Sequence, residues 1–392
     1  MTRVAIVGGG PAGSSFALRL LEAGVSPGDI TIFDRANFPR PKLCGGALTA
    51  RGGEELAALG VEPCATTRTL EFRSALGRFR VRERGPQWLF DRAELDNRLL
   101  RRCQDEGIRV REGCAIQRIE GGPPWRLVWN GGSESADWLV GADGARGVVG
   151  RALGLGDTRV GRLVEAYYEG GPLRRDVLYF DFDPILDGIP GYAWIFPTPD
   201  SDRWKIGVMD GRGMAPGRDL RVWTDAFAER NGFRRVDAKI AGWPERYFSP
   251  STVAHRKGVL LTGEAWGIDP LLGEGIAPAL EMSRYAAPRL KRALKSQVIP
   301  NYEADFLRDP AGRNLRFQYR LANLLYGPSH RRWMRVFFGH RHMKALAARG
   351  TEAYGRLEHH TWKLAGSYLL QTLRDGLPSN APILRSEGRF SA

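Results

Sequence analysis

Three glycines and one acid carry the first chemical signal in this chain. Gly8, Gly10 and Gly13 fall on a G-x-G-x-x-G spacing with Pro11 and Ala12 inside it, and Asp34 follows about twenty residues on. That spacing lets backbone turn sharply against a pyrophosphate while the carboxylate meets a ribose hydroxyl pair. Cys44 is a second candidate: Lys42 beside it can lower a thiol pKa, and Gly45 and Gly46 let backbone press against a flat ligand. On composition alone, an inert structural loop is the simpler reading of that stretch. Asp143-Gly144 places an acid on a glycine turn, and Gly263-Glu264 is followed by Gly273, Gly275 and Ile276 before a helical pattern.

The elements that must position these residues follow from the apolar periodicity. Val4 to Val7 reads as a buried strand, Ser14 to Ala23 as a helix ended by Gly24, and Ile30 to Phe33 as a second strand running into Asp34. A helix that opens on the glycine run turns its free N–H groups and positive dipole end toward a diphosphate. Asp91 and Glu94 have capping-box spacing, which puts Arg92 in the first turn of a helix ended by Gly107. Trp125–Trp129 and Asp137–Val140, separated by a turn at Asn130-Gly131-Gly132, read as antiparallel strands leading to Asp143. From about Arg159 to Ser251, short aromatic runs such as Val177–Phe180, Tyr192–Phe196 and Trp204–Val208 alternate with turn residues, predicting a mostly antiparallel sheet over a substrate with one helix near Leu220–Arg230. Val259 to Gly263 returns to the buried-strand pattern, and Ala277 to Leu294 is helical.

Composition narrows the function classes. The chain has 392 residues, an apolar fraction of 43% and a net charge of +14 from 58 basic and 44 acidic side chains. That apolar fraction supports a core, and no run reaches the ~20 apolar residues of a spanning helix. The N-terminus enters a strand directly, so no signal peptide is expected. Cys44, Cys64, Cys103 and Cys114 show neither C-x-x-C pairing nor zinc spacing, so no metal site is expected, and a reduced cytoplasmic setting is the default. Basic residues are scattered, with a modest concentration at Arg331–Lys344, and no nucleic-acid-binding signature accompanies them. Nucleic acid is therefore disfavoured; an anionic partner protein, a peptide or a membrane surface stays open, the last with peripheral attachment. The region after about Asn301 is helical and basic, with an amphipathic stripe at Trp362, Ala365, Tyr368, Leu369 and Leu373, and a loosely ordered tail is expected after Pro378.

Taken in order, these stretches resemble the FAD-dependent oxidoreductases of the p-hydroxybenzoate-hydroxylase fold, and within them the geranylgeranyl-reductase-like branch, which is related to flavin monooxygenases and flavin halogenases. The resemblance covers nearly all of Met1 to about Leu294. Pro41-Lys42-Leu43-Cys44-Gly45-Gly46 resembles the branch's Cys-Gly-Gly loop, and Tyr192-Ala193-Trp194-Ile195-Phe196-Pro197 its Y-x-W-x-F-P segment. The proline that the branch places three residues before that Tyr is absent, and Pro190 falls one place late. Gly191 to Pro197 is also one step from the halogenase signature G-W-x-W-x-I-P, so halogenation ranks third.

The resemblance implies a Rossmann-like FAD-binding domain (1–70, 85–158 and 252–298) interleaved with a mixed or antiparallel substrate-binding sheet (71–84 and 159–251) and followed by a C-terminal helical region (299–392). It assigns the ADP half of FAD to Gly8, Gly10, Pro11, Ala12, Gly13, Asp34 and Arg35, and the rest of the cofactor to Cys44, Gly45, Arg92, Asp143, Gly144, Gly263, Glu264, Gly273, Gly275 and Ile276. Cys44, Tyr192 and Trp194 would line the reacting face. Glu264 stands where the family has Asp, and Trp266 replaces a small residue, which is expected to crowd the flavin or reshape the substrate entrance. A bulky hydrophobic or aromatic substrate is implied, reduced in one reading and, in the next, hydroxylated as a free or a peptide- or carrier-borne aromatic group. A non-catalytic flavin-binding carrier is the reading from another class. No second strand-glycine-helix unit provides for NAD(P)H, so that reductant, or an acidic electron carrier, would visit transiently.

Overall fold

A computed structural model describes residues 2–154, 160–199, 201–212 and 219–339. The stripe at Trp362, Ala365, Tyr368, Leu369 and Leu373 and the tail after Pro378 lie outside the described residues. In chain order the first elements are β1 (Thr2–Val7), α1 (Pro11–Glu22), β2 (Ile30–Phe33), β3 (Ala47–Leu48), α2 (Ala50–Ala58), β4 (Ala65–Ser74), β5 (Gly77–Leu89), α3 (Arg92–Asp105) and β6 (Arg109–Arg111). They are followed by β7 (Ile116–Gly121), β8 (Trp125–Trp129), β9 (Gly132–Gly141), α4 (Val148–Ala152), β10 (Gly161–Gly170), β11 (Val177–Asp181), α5 (Asp183–Leu186), β12 (Ala193–Pro197) and β13 (Trp204–Asp210). The last are α6 (Leu220–Arg230), β14 (Phe233–Arg235), β15 (Ala241–Glu245), β16 (His255–Arg256), β17 (Val259–Leu261), α7 (Ile276–Arg292), α8 (Tyr302–Phe306), α9 (Pro310–Leu325) and α10 (His330–Gly339).

Strands with continuous apolar runs need cover on both faces, and here they form one parallel stack. β17, β9, β1, β2 and β6 lie side by side in that order and all run parallel. Val4, Ala5, Ile6, Leu139, Val140 and Leu260 at its centre have no accessible surface. The β8–β9 hairpin pairs antiparallel through Trp129↔Gly132, as its glycine turn predicts. α1 begins at Pro11, three residues before the predicted start, because a proline at N1 costs no hydrogen bond. α1 packs on α7, where Ser15 Oγ donates to Ser283 Oγ at 2.9 Å.

The second sheet runs β14-β10-β13-β12-β11-β4-β5-β3, and β15 also pairs with β10. Its pairings are antiparallel except β11 against β4. The β4–β5 hairpin enters this sheet over 65–89 where 71–84 was expected, because Thr66 and Thr67 already pair with Trp88 and Gln87. The chain passes from the first sheet to the second before β3, back at α3, out again at β10 and home at β16. Its assignment to cofactor-binding and substrate-binding domains remains our proposal. α10 lays Phe338 and the buried Met334 against the second sheet's aromatic cluster, with Phe338 5.9 Å from Phe79 and 6.1 Å from Phe182. Among the described residues, no helix is long and apolar enough to cross a membrane.

Candidate functional site

The carboxyl ends of β1, β2 and β9 open on one cavity of about 880 Å³, within the range of cofactor and substrate sites. At its glycine end the backbone approaches so closely that side chains are excluded. A Cβ on Gly13 would lie 1.8 Å from Gly8 O, and one on Gly8, whose φ is +109°, would lie 2.3 Å from Ala142 O. Gly10 caps α1 without a side-chain acceptor, so the first-turn N–H groups stay available to an anion. Asp34 is held beside this turn, accepting from Gly9 N–H at 2.7 Å and Ala36 N–H at 2.8 Å. Gly8, Gly10, Pro11, Ala12, Asp34 and Arg35 line the cavity, while Gly13 acts one layer back by permitting the contact with Gly8.

The middle of the cavity gathers charges from three segments. Asp91 caps α3 by accepting from Ala93 and Glu94 N–H, and Arg92 in the first turn makes a two-pronged pair with the buried Asp96 at 2.9 and 3.0 Å. The capping box is only half formed, because Glu94 pairs with Arg98 instead of reaching back. Asp143 accepts from Val149 N–H at 3.0 Å through Oδ2, while its buried Oδ1 has no partner among the described residues. Burial pushes the Asp143 carboxyl up to about 6, against the pull of its backbone donors. Glu264 Oε1 is likewise buried without a partner, and burial raises that carboxyl despite the charges of Lys42 and Arg92. A Cβ on Gly144 would lie 3.4 Å from Glu264 Oε2, so these two distant motifs meet at one spot. Gly263, at φ +57°, lets that turn sit against Ala12, where a Cβ would come within 2.6 Å. Gly273, Gly275 and Ile276 line the cavity at the start of α7.

At the far end, aromatic and aliphatic side chains of the second sheet form the walls: Leu70, Phe72, Leu178, Phe180, Phe196 and Met209 among them. Tyr192 and Trp194 stand here with Cys44. A Cβ on Gly45 would meet Phe196 at 2.9 Å and Trp194 Nε1 at 3.4 Å, so the Cys-Gly-Gly loop rests directly on the aromatic strand β12. Trp194 Nε1 donates to Glu165 at 2.8 Å, and Lys205 Nζ donates to Cys44 O at 3.0 Å. Burial opposes the Lys205 charge, but Glu165, Cys44, Tyr167 and Asp91 together outweigh it and raise the pKa. Tyr192 Oη donates to Leu272 O at 2.7 Å, tying this wall to the loop before α7.

Trp266 corrects one expectation. It points away from the cavity, 1% exposed, with its ring 4.7 Å from Phe306 and its Nε1 donating to Thr252 O at 3.1 Å. The large side chain fills core under α7 and α8 and crowds nothing in the cavity. The sequence reading also passed over Glu165, Lys205, Glu245 and Tyr247. Glu165 and Lys205 stand inside the apolar strand runs Leu163–Ala166 and Trp204–Val208, and a charge in such a run is the signal that could have marked them.

Known proteins share this arrangement. Residues 1–167 match the family model described as "FAD binding domain". A menaquinone reductase of Mycobacterium tuberculosis is 30% identical over 361 residues, covering 83% of this chain and 84% of that protein. The chain belongs to this family of FAD-dependent oxidoreductases. A digeranylgeranylglycerophospholipid reductase of Methanopyrus kandleri is 29% identical over 311 residues, covering 72% of this chain and 78% of that protein. In fold, a flavin-dependent brominase aligns with a TM-score of 0.74 and 18% identity over 96% of this chain and all of that one.

The residues present fit FAD. The turn at Gly8 to Gly13 leaves room only for backbone against a diphosphate, and Asp143 and Glu264, each with a buried oxygen unpartnered among the described residues, line the stretch between the two ends. FAD supplies hydride or electron transfer when bound. We propose that the chain's own part would be to hold it, with Asp34 and the N-terminus of α1 at the ADP end, Arg92, Asp143 and Glu264 along the middle, and the N–H groups around Gly273 to Ile276 available to stabilise negative charge.

Proposed function

We propose that the protein is a reductase that saturates a carbon–carbon double bond in an isoprenoid chain. The observation that carries this is the cavity's continuity: a glycine-walled cofactor end runs into a chamber walled by Leu70, Phe72, Leu178, Phe180, Phe196 and Met209, which suits a long apolar chain. The molecules named for the two reductases it resembles, a menaquinone and a digeranylgeranyl lipid, share an isoprenoid chain and little else. Cys44, Tyr192 and Trp194 hold the double bond against the reacting face, and the apolar wall excludes water. Electrons come from NAD(P)H or a protein carrier that docks transiently, and the net charge of +14 favours an acidic one.

The test is anaerobic. Reduced holoenzyme is mixed with a geranylgeranyl lipid, and the product mass is followed together with flavin absorbance. Two added hydrogens per flavin reoxidised is the expected result. Reduced flavin that ignores the lipid but, once oxygen is admitted, hydroxylates an aromatic compound would sink the reading in favour of a monooxygenase, and halide-dependent aromatic substitution would favour a halogenase. Replacing Cys44 with Ala should slow turnover more than it lowers FAD content; an unchanged rate returns Cys44 to a structural role.

A further inference from the structure

Saturating a double bond takes a proton as well as a hydride, so the chamber needs an acid. The side chains lining it can be sorted by where their protons already go. Tyr192 commits its hydroxyl to Leu272 O at 2.7 Å, and burial holds its pKa well above the phenol range. Burial raises the Asp269 carboxyl to about 7, but both its oxygens already accept backbone N–H groups, Oδ1 from Leu271 at 2.7 Å and Oδ2 from Leu272 at 3.2 Å. Glu165 accepts from Trp194 and lies behind it. Glu245 is different.

Glu245 ends β15 at the rim of the second sheet, and its side chain enters the cavity. It is half-buried and lines the cavity. Its Oε2 accepts from Tyr247 Oη at 2.7 Å and would lie 3.4 Å from a Cβ on Gly273. The carboxyl therefore touches the loop before α7, between the cofactor end and the apolar chamber. Among the described residues no hydrogen bond reaches Oε1, which leaves that oxygen to carry a proton.

We propose that Glu245 is the proton donor of the reduction and that Tyr247 holds the carboxylate it leaves behind. This rests on the reductase reading above. The Glu245 O–H bond breaks and a C–H bond forms from the π pair of the substrate double bond. The neighbouring carbon takes the hydride that the reduced cofactor supplies, and the O–H pair stays on the carboxylate. Tyr247 Oη–H and the Lys42 ammonium, whose charge acts on Glu245, stabilise that carboxylate until solvent reprotonates it.

The electrostatics agree. Burial and the charge of Glu264 push the Glu245 carboxyl up to about 8, with Asp269 adding to the rise and Tyr247 and Lys42 opposing it. Tyr192 and Tyr326, the other titratable groups around this pair, stay neutral because burial raises both far above neutrality. Glu245 thus carries its proton at neutral pH, where an acid catalyst works best.

The test uses the FAD-loaded enzyme with a geranylgeranyl lipid in single turnovers, across pH, for wild type, E245Q and Y247F. Wild type should lose rate above pH about 8. E245Q should be slower by ~100-fold or more, within the range of general-acid contributions, and should lose that alkaline limb. Its FAD affinity should stay within about twofold of wild type, since no cofactor contact is removed. Y247F should move the limb to higher pH, because a donor to the ionised form is gone. Infrared spectra of the FAD-free protein at neutral pH give a readout independent of turnover: wild type should show a protonated-carboxyl band that E245Q lacks. A wild type that reduces the lipid while E245Q keeps pace overturns the role of Glu245 alone, as does a carboxyl band unchanged in E245Q. A wild type inert toward the lipid overturns the reductase reading as well. Should E245Q fail to fold, an alkaline limb unmoved in Y247F overturns the pairing.

Discussion

The two ends of the cavity are made of different material. At the glycine end, contacts are backbone against backbone: Gly13 under Gly8, Gly8 against Ala142, Gly263 against Ala12. At the chamber end, contacts are side chain against side chain, drawn from β4, β10, β11, β12 and β13, with Glu165, Lys205 and Tyr192 as polar ties. A backbone-made site holds a fixed chemical shape and tolerates almost no substitution. A side-chain-made site can change its ligand by changing residues on an unaltered frame, which is how one fold serves many reactions.

The largest effect should come from placing a side chain in the glycine end. Gly13→Leu sets a Cβ where 1.8 Å separates it from a carbonyl oxygen, and backbone cannot step aside cheaply. The purified protein should be colourless, with flavin affinity down by ~100-fold or more, equivalent to about 3 kcal/mol. Stoichiometric yellow protein would break the contrast between the two ends.

Next comes Trp266→Ala, which removes a core tryptophan outside the cavity. Unfolding free energy should fall by ~3–5 kcal/mol while flavin affinity and substrate range hold. A shifted substrate range with intact stability would put Trp266 back at the entrance. A smaller loss is expected from Trp194→Phe at the chamber end. Glu165 would lose its indole donor, at a cost of ~1–3 kcal/mol, and lipid turnover should drop with FAD content retained.

The mildest test is a slope. Asp143 has its carboxyl raised from 3.8 to about 6, so the folded protein holds a proton that the unfolded chain releases. Its contribution to stability is complete below pH 3.8 and is lost as pH climbs through about 6. Thermal melts of FAD-free protein between these limits should decline less in Asp143→Asn than in wild type, and equal slopes would mean that Oδ1 is not isolated after all.

The difference in material also explains what could be read from the chain alone. Gly8, Gly13 and Asp34 were legible because a backbone site imposes residue type and spacing within one short segment. The parallel strands and α6 were legible from periodicity, since the prediction of Leu220–Arg230 matches the helix found. Glu245 and Tyr247 were not, because their meaning lies in what they face: the loop at Gly273, more than two dozen residues away, and Lys42, brought in from the other end of the chain. Trp266 misled because its position in the motif was read as proximity to the ligand. A tryptophan can turn its ring either way from the same backbone, and here the aromatic cluster of Phe248, Tyr302 and Phe306 takes it.

The fourfold passage of the chain between sheets has a consequence for synthesis. During translation, β9 waits without its neighbour until Val259–Leu261 has emerged, although β1 is already in place on its other side. A fragment ending near residue 167, where the recognisable cofactor segment stops, would carry β9 as a bare parallel edge with Leu139 and Val140 at its centre. Such an edge is a template for other copies of itself. The segment that looks most like a self-contained module is, on this connectivity, the piece least suited to be made alone.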